Sequence, residues 1–217
     1  VGDVLGIEDV GRDLENLVRI ESVWSDPARR DEVHRSADAV AALLRDAGFA
    51  EVQIVSEGGA PAVIAIIPRH LVDRQFCCTP ITTFSPKVML GNGIRHRLSR
   101  LARRQAYGRG TADDKAGIAT HLAAFRAHDG QPPVGVTVFV EGEEECGSPS
   151  LGRLLALHRD RLAADVIVIA DSANFSVDVP ALTVSLRGLV AALIRLLATL
   201  HDEQGNVAVA GLHEAHA

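Results

Sequence analysis

Cysteine is scarce in this 217-residue chain: there are three, two of them adjacent at Cys77 and Cys78, and no Cys-x-x-Cys pair occurs. That excludes a disulfide framework and a cysteine-built structural zinc site, so all three are expected to be thiols. No apolar run approaches the roughly 20 residues that span a bilayer, and the first ten residues lack the basic-then-apolar order of a secretory leader. The expected location is therefore cytoplasmic. Lysine occurs only at Lys87 and Lys115, and methionine only at Met89. What remains, 47% hydrophobic and 23% charged, is the composition of an ordinary soluble globular chain, long enough for one domain with a sizeable core. Disorder and collagen-like structure are excluded by the same figures.

The net charge of −6 hides two unlike parts. Residues 68–106 carry eight basic side chains (Arg69, Arg74, Lys87, Arg95, Arg97, Arg100, Arg103, Arg104) against a single acid, Asp73, whereas the rest of the chain has 14 basic and 27 acidic residues. That basic stretch also holds the lone Met and two of the three cysteines. The expected organisation is four segments: 1–67, the amino-terminal part of an α/β domain; 68–106, the anomalous basic segment; 107–190, the acidic remainder of the domain; and 191–217, a helix and frayed tail.

Outside the basic segment, helices and strands alternate. Ile7, Val10, Leu14, Leu17 and Val18 share one helical face, and Val33, Ala37, Val40, Ala41 and Leu44 form a second stripe that Gly48 can close as a left-handed cap. Val52–Val55 and Ala62–Ile67 flank the turn sequence Glu57-Gly58-Gly59-Ala60-Pro61 and predict paired strands. A helix over 116–125, a strand over 134–140 and a helix over about 149–162 follow. The unbroken apolar run Val166-Ile167-Val168-Ile169-Ala170 suits a strand buried on both faces. A further strand over 182–186 leads into a helix-forming stretch, 191–200, with no turn chemistry between them. Such alternation predicts an α/β layered fold, in which ligands collect beyond the carboxyl ends of the strands.

Three acidic sites sit at such ends: Tyr107-Gly-Arg-Gly-Thr-Ala-Asp113-Asp114-Lys115, Glu141-Gly-Glu143-Glu144-Glu145-Cys-Gly-Ser148, and Asp171 after the apolar run. Converging carboxylates repel, and a divalent cation is the cheapest way to keep them ionised and close. Oxygen ligands alone suit magnesium or calcium; added imidazole favours zinc. Blander readings exist for each. Glu143–Glu145 alone reads as a solvated surface, Asp113 as a helix N-terminal acid facing the macrodipole, and Asp171 as a turn or helix cap.

In this order and spacing the three motifs closely resemble the dinuclear zinc metallopeptidases that include carnosinase-type dipeptidases, aminoacylase, acetylornithine deacetylase and carboxypeptidase G, with the long Glu-Gly-x-Glu-Glu-x-Gly-Ser form most like the dipeptidase branch. The resemblance implies a partial zinc-peptidase catalytic domain: α/β, with a mixed central sheet flanked by helices. It implies two zinc ions, with Asp113 bridging them, Glu145 binding one and Asp171 the other. Glu144 becomes the general base that takes a proton from water and returns it to the leaving amine. The peptide Asp113–Asp114 is expected to be cis. Implied substrates are small peptides or N-acyl amino acids, and pairing into homodimers is expected of full-length members.

Three family features are not recognisable: a His-x-Asp on the strand before the bridging aspartate, a histidine on an inserted lid domain, and a histidine near the distal carboxyl end. His70, His96 and His121 sit in no His-x-Asp, and His213 and His216 are spaced three apart rather than the four of a helical zinc motif. The genetic code offers a reason. Residues 76–86 can be encoded so that each codon's third base joined to the next two reads Leu-Leu-Tyr-Ala-His-His-Asp-Val-Gln-Pro, a family-like His-x-Asp strand. Residues 92–100, treated alike, admit Trp-Asp-Ser-Pro-Pro-Phe-Glu-Pro. The hypothesis is a pair of compensating frameshifts near Pro68 and Ala106; codons unable to yield the alternative frame would sink it. The junction Val190–Ala191 is read as a deletion of the lid, and Val1 in place of an initiator Met as a fragment or a conceptual translation.

Two functional readings follow, a zinc-dependent dipeptidase-like hydrolase impaired by these losses, and a non-catalytic remnant with weak metal binding. A third, that residues 68–106 bind nucleic acid or an anionic membrane, lacks aromatic interleaving and a recognised binding fold. No nucleic-acid or membrane partner is expected.

Overall fold

A computed structural model describes residues 7–68, 72–78, 99–102, 105–171, 174–176, 179 and 181. Its helices are α1 (Ile7–Val18), α2 (Arg30–Asp46), α3 (Lys115–Arg126), α4 (Leu151–Leu157) and α5 (Arg159–Leu162). Its strands are β1 (Glu51–Val55), β2 (Ala62–Ile67), β3 (Val72–Cys78), β4 (Ser99–Ala102), β5 (Gln105–Tyr107), β6 (Val134–Val140) and β7 (Val166–Val168). Five of these strands form one mixed sheet in the order β1-β2-β6-β3-β7, while β4 and β5 pair separately. β1–β2 and β2–β6 are antiparallel; β3 is parallel to both β6 and β7.

The sheet has a core on each face. On one, alternate residues of β2 (Val63, Ala65, Ile67) and β6 (Val136, Val138, Val140) pack with Cys78 against Ala37, Val40 and Leu44 of α2 and Ile118 and Leu122 of α3. On the other, Ala62, Ile64, Cys77 and Phe139 meet Leu154 of α4. Strand alternation thus sends Cys77 and Cys78 to opposite faces, both as buried free thiols. Burial raises both thiol pKa values, that of Cys78 to about 12.

The ends of α2 and α3 meet backbone to backbone. Gly48 (φ +100°) and Gly130 (φ +69°) follow the two helices, and a Cβ on Gly130 would lie 2.8 Å from the Ala47 carbonyl oxygen. Phe49 and Phe125 close the contact edge to face, with ring centroids 4.9 Å apart. Arg126 of α3 and Asp13 of α1 are bridged at 2.6 Å.

Two expectations change. The helix over 149–162 breaks at His158 into α4 and α5, and no glycine or proline marks the break. The strand at 166–168 is not buried on both faces: Ile167 is 65% exposed, because β7 is the outer strand of the described sheet and pairs only with β3 among the described residues. The strand expected over 182–186, the helix over 191–200 and the region read as a lid deletion lie outside the described residues, as do His70, His96, His213, His216 and residues 79–98. Residues 172–217 form a second compact unit, within which Ala181 N donates to Asn174 Oδ1 at 3.2 Å. Among the described residues, no helix is long and apolar enough to cross a membrane.

His121 of α3 is buried, stacked on Phe125 with ring centroids 6.3 Å apart, and its Nε2 has no hydrogen-bond partner among the described residues. Burial lowers its pKa to about 4 from 6.5. Between those values the unfolded chain binds the proton and the folded chain does not, so this group's stability is present above pH 6.5 and lost as pH falls through 4. Acid denaturation followed by circular dichroism should therefore show a limb over this range that flattens in His121→Leu.

Candidate active site

β3, β6 and β7 run in parallel, so the carboxyl ends of all three emerge at one edge of the sheet. β2 runs the opposite way, and its register Val63–Val140 brings the preceding β1–β2 turn to that same edge. The candidate residues enter from three loops there.

The first is the loop from Gly108 to Asp114. Its chain reversal uses positive φ at Gly110 (+76°), and Thr111 Oγ1 donates to the Gly108 carbonyl at 2.6 Å. The peptide Asp113–Asp114 is cis. Asp114 turns inward, and its carboxylate caps α3 by accepting from Gly117 N at 2.9 Å, while Asp113 stays exposed. Lys115 is fully buried and donates from Nζ to the carbonyls of Leu17 (2.8 Å) and Ile20 (2.9 Å) at the end of α1. Burial lowers its pKa to about 7, with Glu32 opposing and Arg35 adding to the shift.

The second loop continues β6. Glu141 is half-buried, Gly142 and Glu143 are buried, and residues Glu144–Cys146 form a 3-10 turn ended by Gly147 (φ +81°) in the left-handed region. Glu144 is exposed and Glu145 half-buried. Burial raises the pKa of Glu144, and the charges of Glu145, Asp171 and Asp113 add to the rise. The third site residue, Asp171, follows β7 and is exposed. The carbonyl of its neighbour Ala170 approaches α3 so closely that a Cβ on Gly117 would lie 2.7 Å from it.

Asp113, Glu144, Glu145 and Asp171, which the sequence singles out, thus share one electrostatic neighbourhood, since Glu144 feels the other three. In charge the set suits a cation. As a coordination shell it is not assembled: among the described residues no group of three or more His, Cys, Asp or Glu side chains is placed to hold a metal ion.

Sequence reasoning missed Glu143. Its carboxylate is 2% exposed and accepts from Ala60 N (2.8 Å), Ser150 N (2.9 Å) and Ser150 Oγ (2.6 Å). Burial pushes its pKa up, but these hydrogen bonds and the Arg153 charge outweigh that and leave it below the usual carboxylate range. In a run of three glutamates, nothing in the sequence says which one turns inward. Lys115, visible in its motif, carried no assigned role for the same reason: its carbonyl partners lie almost a hundred residues away.

Residues 99–185 match peptidase family M20/M25/M40. Over 242 residues the chain is 27% identical to a cysteinylglycine-S-conjugate dipeptidase of Corynebacterium striatum, covering 94% of this chain and 52% of that protein. Over 139 residues it is 30% identical to the human beta-Ala-His dipeptidase, covering 50% of this chain and 27% of that protein. In fold it matches the dipeptidase Dug1p of Saccharomyces cerevisiae with a TM-score of 0.71 at 19% identity, and human carnosine dipeptidase 1 with 0.70 at 24%, covering 97% and 95% of this chain and 53% of each of theirs. In fold, motifs and sequence the chain is thus similar to the M20 peptidases. Both of these curated relatives are dipeptidases. The chain spans about half the length of the relatives that match nearly all of it.

Proposed function

We propose that this chain carries part of the catalytic domain of a metal-dependent, dipeptidase-like hydrolase acting in the cytoplasm on the amide bond of dipeptides or N-acyl amino acids. The observation that supports it best is Glu144, exposed at the carboxyl edge of the sheet with its proton affinity raised by burial and by Glu145, Asp171 and Asp113. A carboxylate of raised pKa is suited to accept a proton from water attacking an amide carbon and to deliver it to the departing amine. Asp113, Glu145 and Asp171 are the residues proposed to face the metal, zinc in this reading; such an ion, when bound, supplies carbonyl polarisation and a lowered water pKa. Among the described residues these carboxylates do not by themselves form a complete shell.

That same observation favours a second reading, a non-catalytic remnant that keeps the acidic edge and binds metal weakly. Zinc titration by calorimetry, run beside a dipeptide hydrolysis assay, separates the two. The hydrolase reading expects zinc-dependent turnover that drops at least about a hundredfold in Glu144→Gln without loss of zinc affinity. Zinc-independent background rates in the unsubstituted chain would establish the remnant instead.

A further inference from the structure

We propose that Glu143 is a positioning residue: by joining the β1–β2 turn to Ser150 it fixes the turn that carries Glu144 and Glu145. This rests on the reading of Glu144 and Glu145 given above, but its geometry is independent of it. The residue holds the turn from both sides. Its main-chain carbonyl accepts from Cys146 N (2.8 Å) and Ser148 N (3.1 Å), which closes the 3-10 turn itself. Its side chain points the other way. Oε1 takes the Ala60 amide, at the mouth of β2, and Oε2 takes both the amide and the hydroxyl of Ser150, just past the turn and at the start of α4.

The surroundings are shaped to this carboxylate. A Cβ on Gly59 would lie 2.2 Å from Glu143 Oε1 and 2.5 Å from Ser150 Oγ, so the β1–β2 turn leaves the carboxylate its space only with glycine there. Beside it, a Cβ on Gly142 would lie 2.5 Å from the Pro61 carbonyl oxygen, so the two loops also touch backbone to backbone. Each of the three groups that donate to the carboxylate is neutral. An amide in its place presents one oxygen and one N–H donor to this ring of donors, so glutamine of the same shape sets a donor against a donor in either orientation. Aspartate keeps the acceptors but falls one methylene short.

The test is amide hydrogen exchange, read by NMR on the whole chain, in Glu143→Gln and Glu143→Asp, with Leu122→Ala as a control that weakens the core far from the turn. In Glu143→Gln, exchange at Ala60, Cys146, Ser148 and Ser150 is expected to rise about tenfold or more while β6 amides stay within about twofold, and Glu143→Asp is expected to recover part of that protection. Leu122→Ala should loosen β6 without singling out the turn. Turn amides unchanged in Glu143→Gln, or loosened only in step with β6, would overturn the assignment. If Glu143→Gln does not fold, Ser150→Ala removes one donor and is expected to raise exchange at the same amides about threefold; no rise there overturns it equally. A parallel zinc titration separates the two proposals: zinc-binding failure in the unsubstituted chain counts against the metal-site reading alone, whereas the exchange pattern decides Glu143.

Discussion

Replacing Lys115 by methionine is expected to lower stability by about 2–4 kcal/mol at pH 9 and by clearly less at pH 6. Methionine keeps the length and apolar stem of the side chain but leaves the carbonyls of Leu17 and Ile20 without the donor that Nζ supplies. Each buried acceptor deprived of its partner costs about 1–3 kcal/mol. The pH dependence follows from the pKa of about 7 against the ordinary 10.5. Between those values the unfolded chain binds the proton and the folded chain does not, so the native lysine adds stability as pH rises across that range. Below pH 7 the folded chain buries a cation, and the substitution then relieves a desolvation cost that partly offsets the lost hydrogen bonds. Urea denaturation of both proteins at the two pH values checks this. A stability difference that shrinks toward pH 9 would show that the amine is not held as described.

Gly117→Ala is the second large effect. Its Cβ would lie 2.6 and 2.8 Å from the two carboxylate oxygens of Asp114 and 2.7 Å from the Ala170 carbonyl oxygen. Ordinarily alanine in a helix stabilises it by up to about 1 kcal/mol relative to glycine. Here the clash wins, because one obstacle is backbone and the other is a carboxylate already committed to capping the helix at Gly117 N. Overpacking of this kind costs about 1–3 kcal/mol, and displacing the cap adds about 1. The net expectation is a loss of about 2–3 kcal/mol in thermal or urea unfolding. Because Gly117 separates the Asp113 loop from the residue before Asp171, zinc affinity is expected to fall as well; a stabilised variant would refute the contact.

Much of the layering is legible in the sequence. The stripes Val33–Leu44 and Ile118–Phe125 give the two helices on one face, and the all-apolar Ala62–Ile67 and the mostly apolar Val134–Val140 give the strands between the layers, because burial on both faces leaves so plain a pattern. Gly48 is legible as a left-handed cap for the same local reason. What is not legible is what depends on neighbours far along the chain. The run Val166–Val168 has the composition of a central strand yet lies at the border of the described sheet, and only pairing decides that. At the site, Asp113, Glu144, Glu145 and Asp171 stand out through their motifs. Glu143 and Lys115 do not, since their roles are set by Ala60, Ser150, Leu17 and Ile20, which no local spacing connects to them. The part of the basic segment that forms β3 does so with Cys77 and Cys78 buried in the cores on opposite faces of the sheet.

The order β1-β2-β6-β3-β7 also bears on synthesis. β6 lies between β2 and β3, both of which leave the ribosome before it, so neither has its central neighbour until Val140 has emerged. A nascent chain ending short of that point presents Ala62–Ile67 with an open, wholly apolar edge, and its α2 stripe has only half a sheet to cover. Closure then joins residues as far apart as Val63 and Val140, which makes assembly of this domain a late and non-local event in translation.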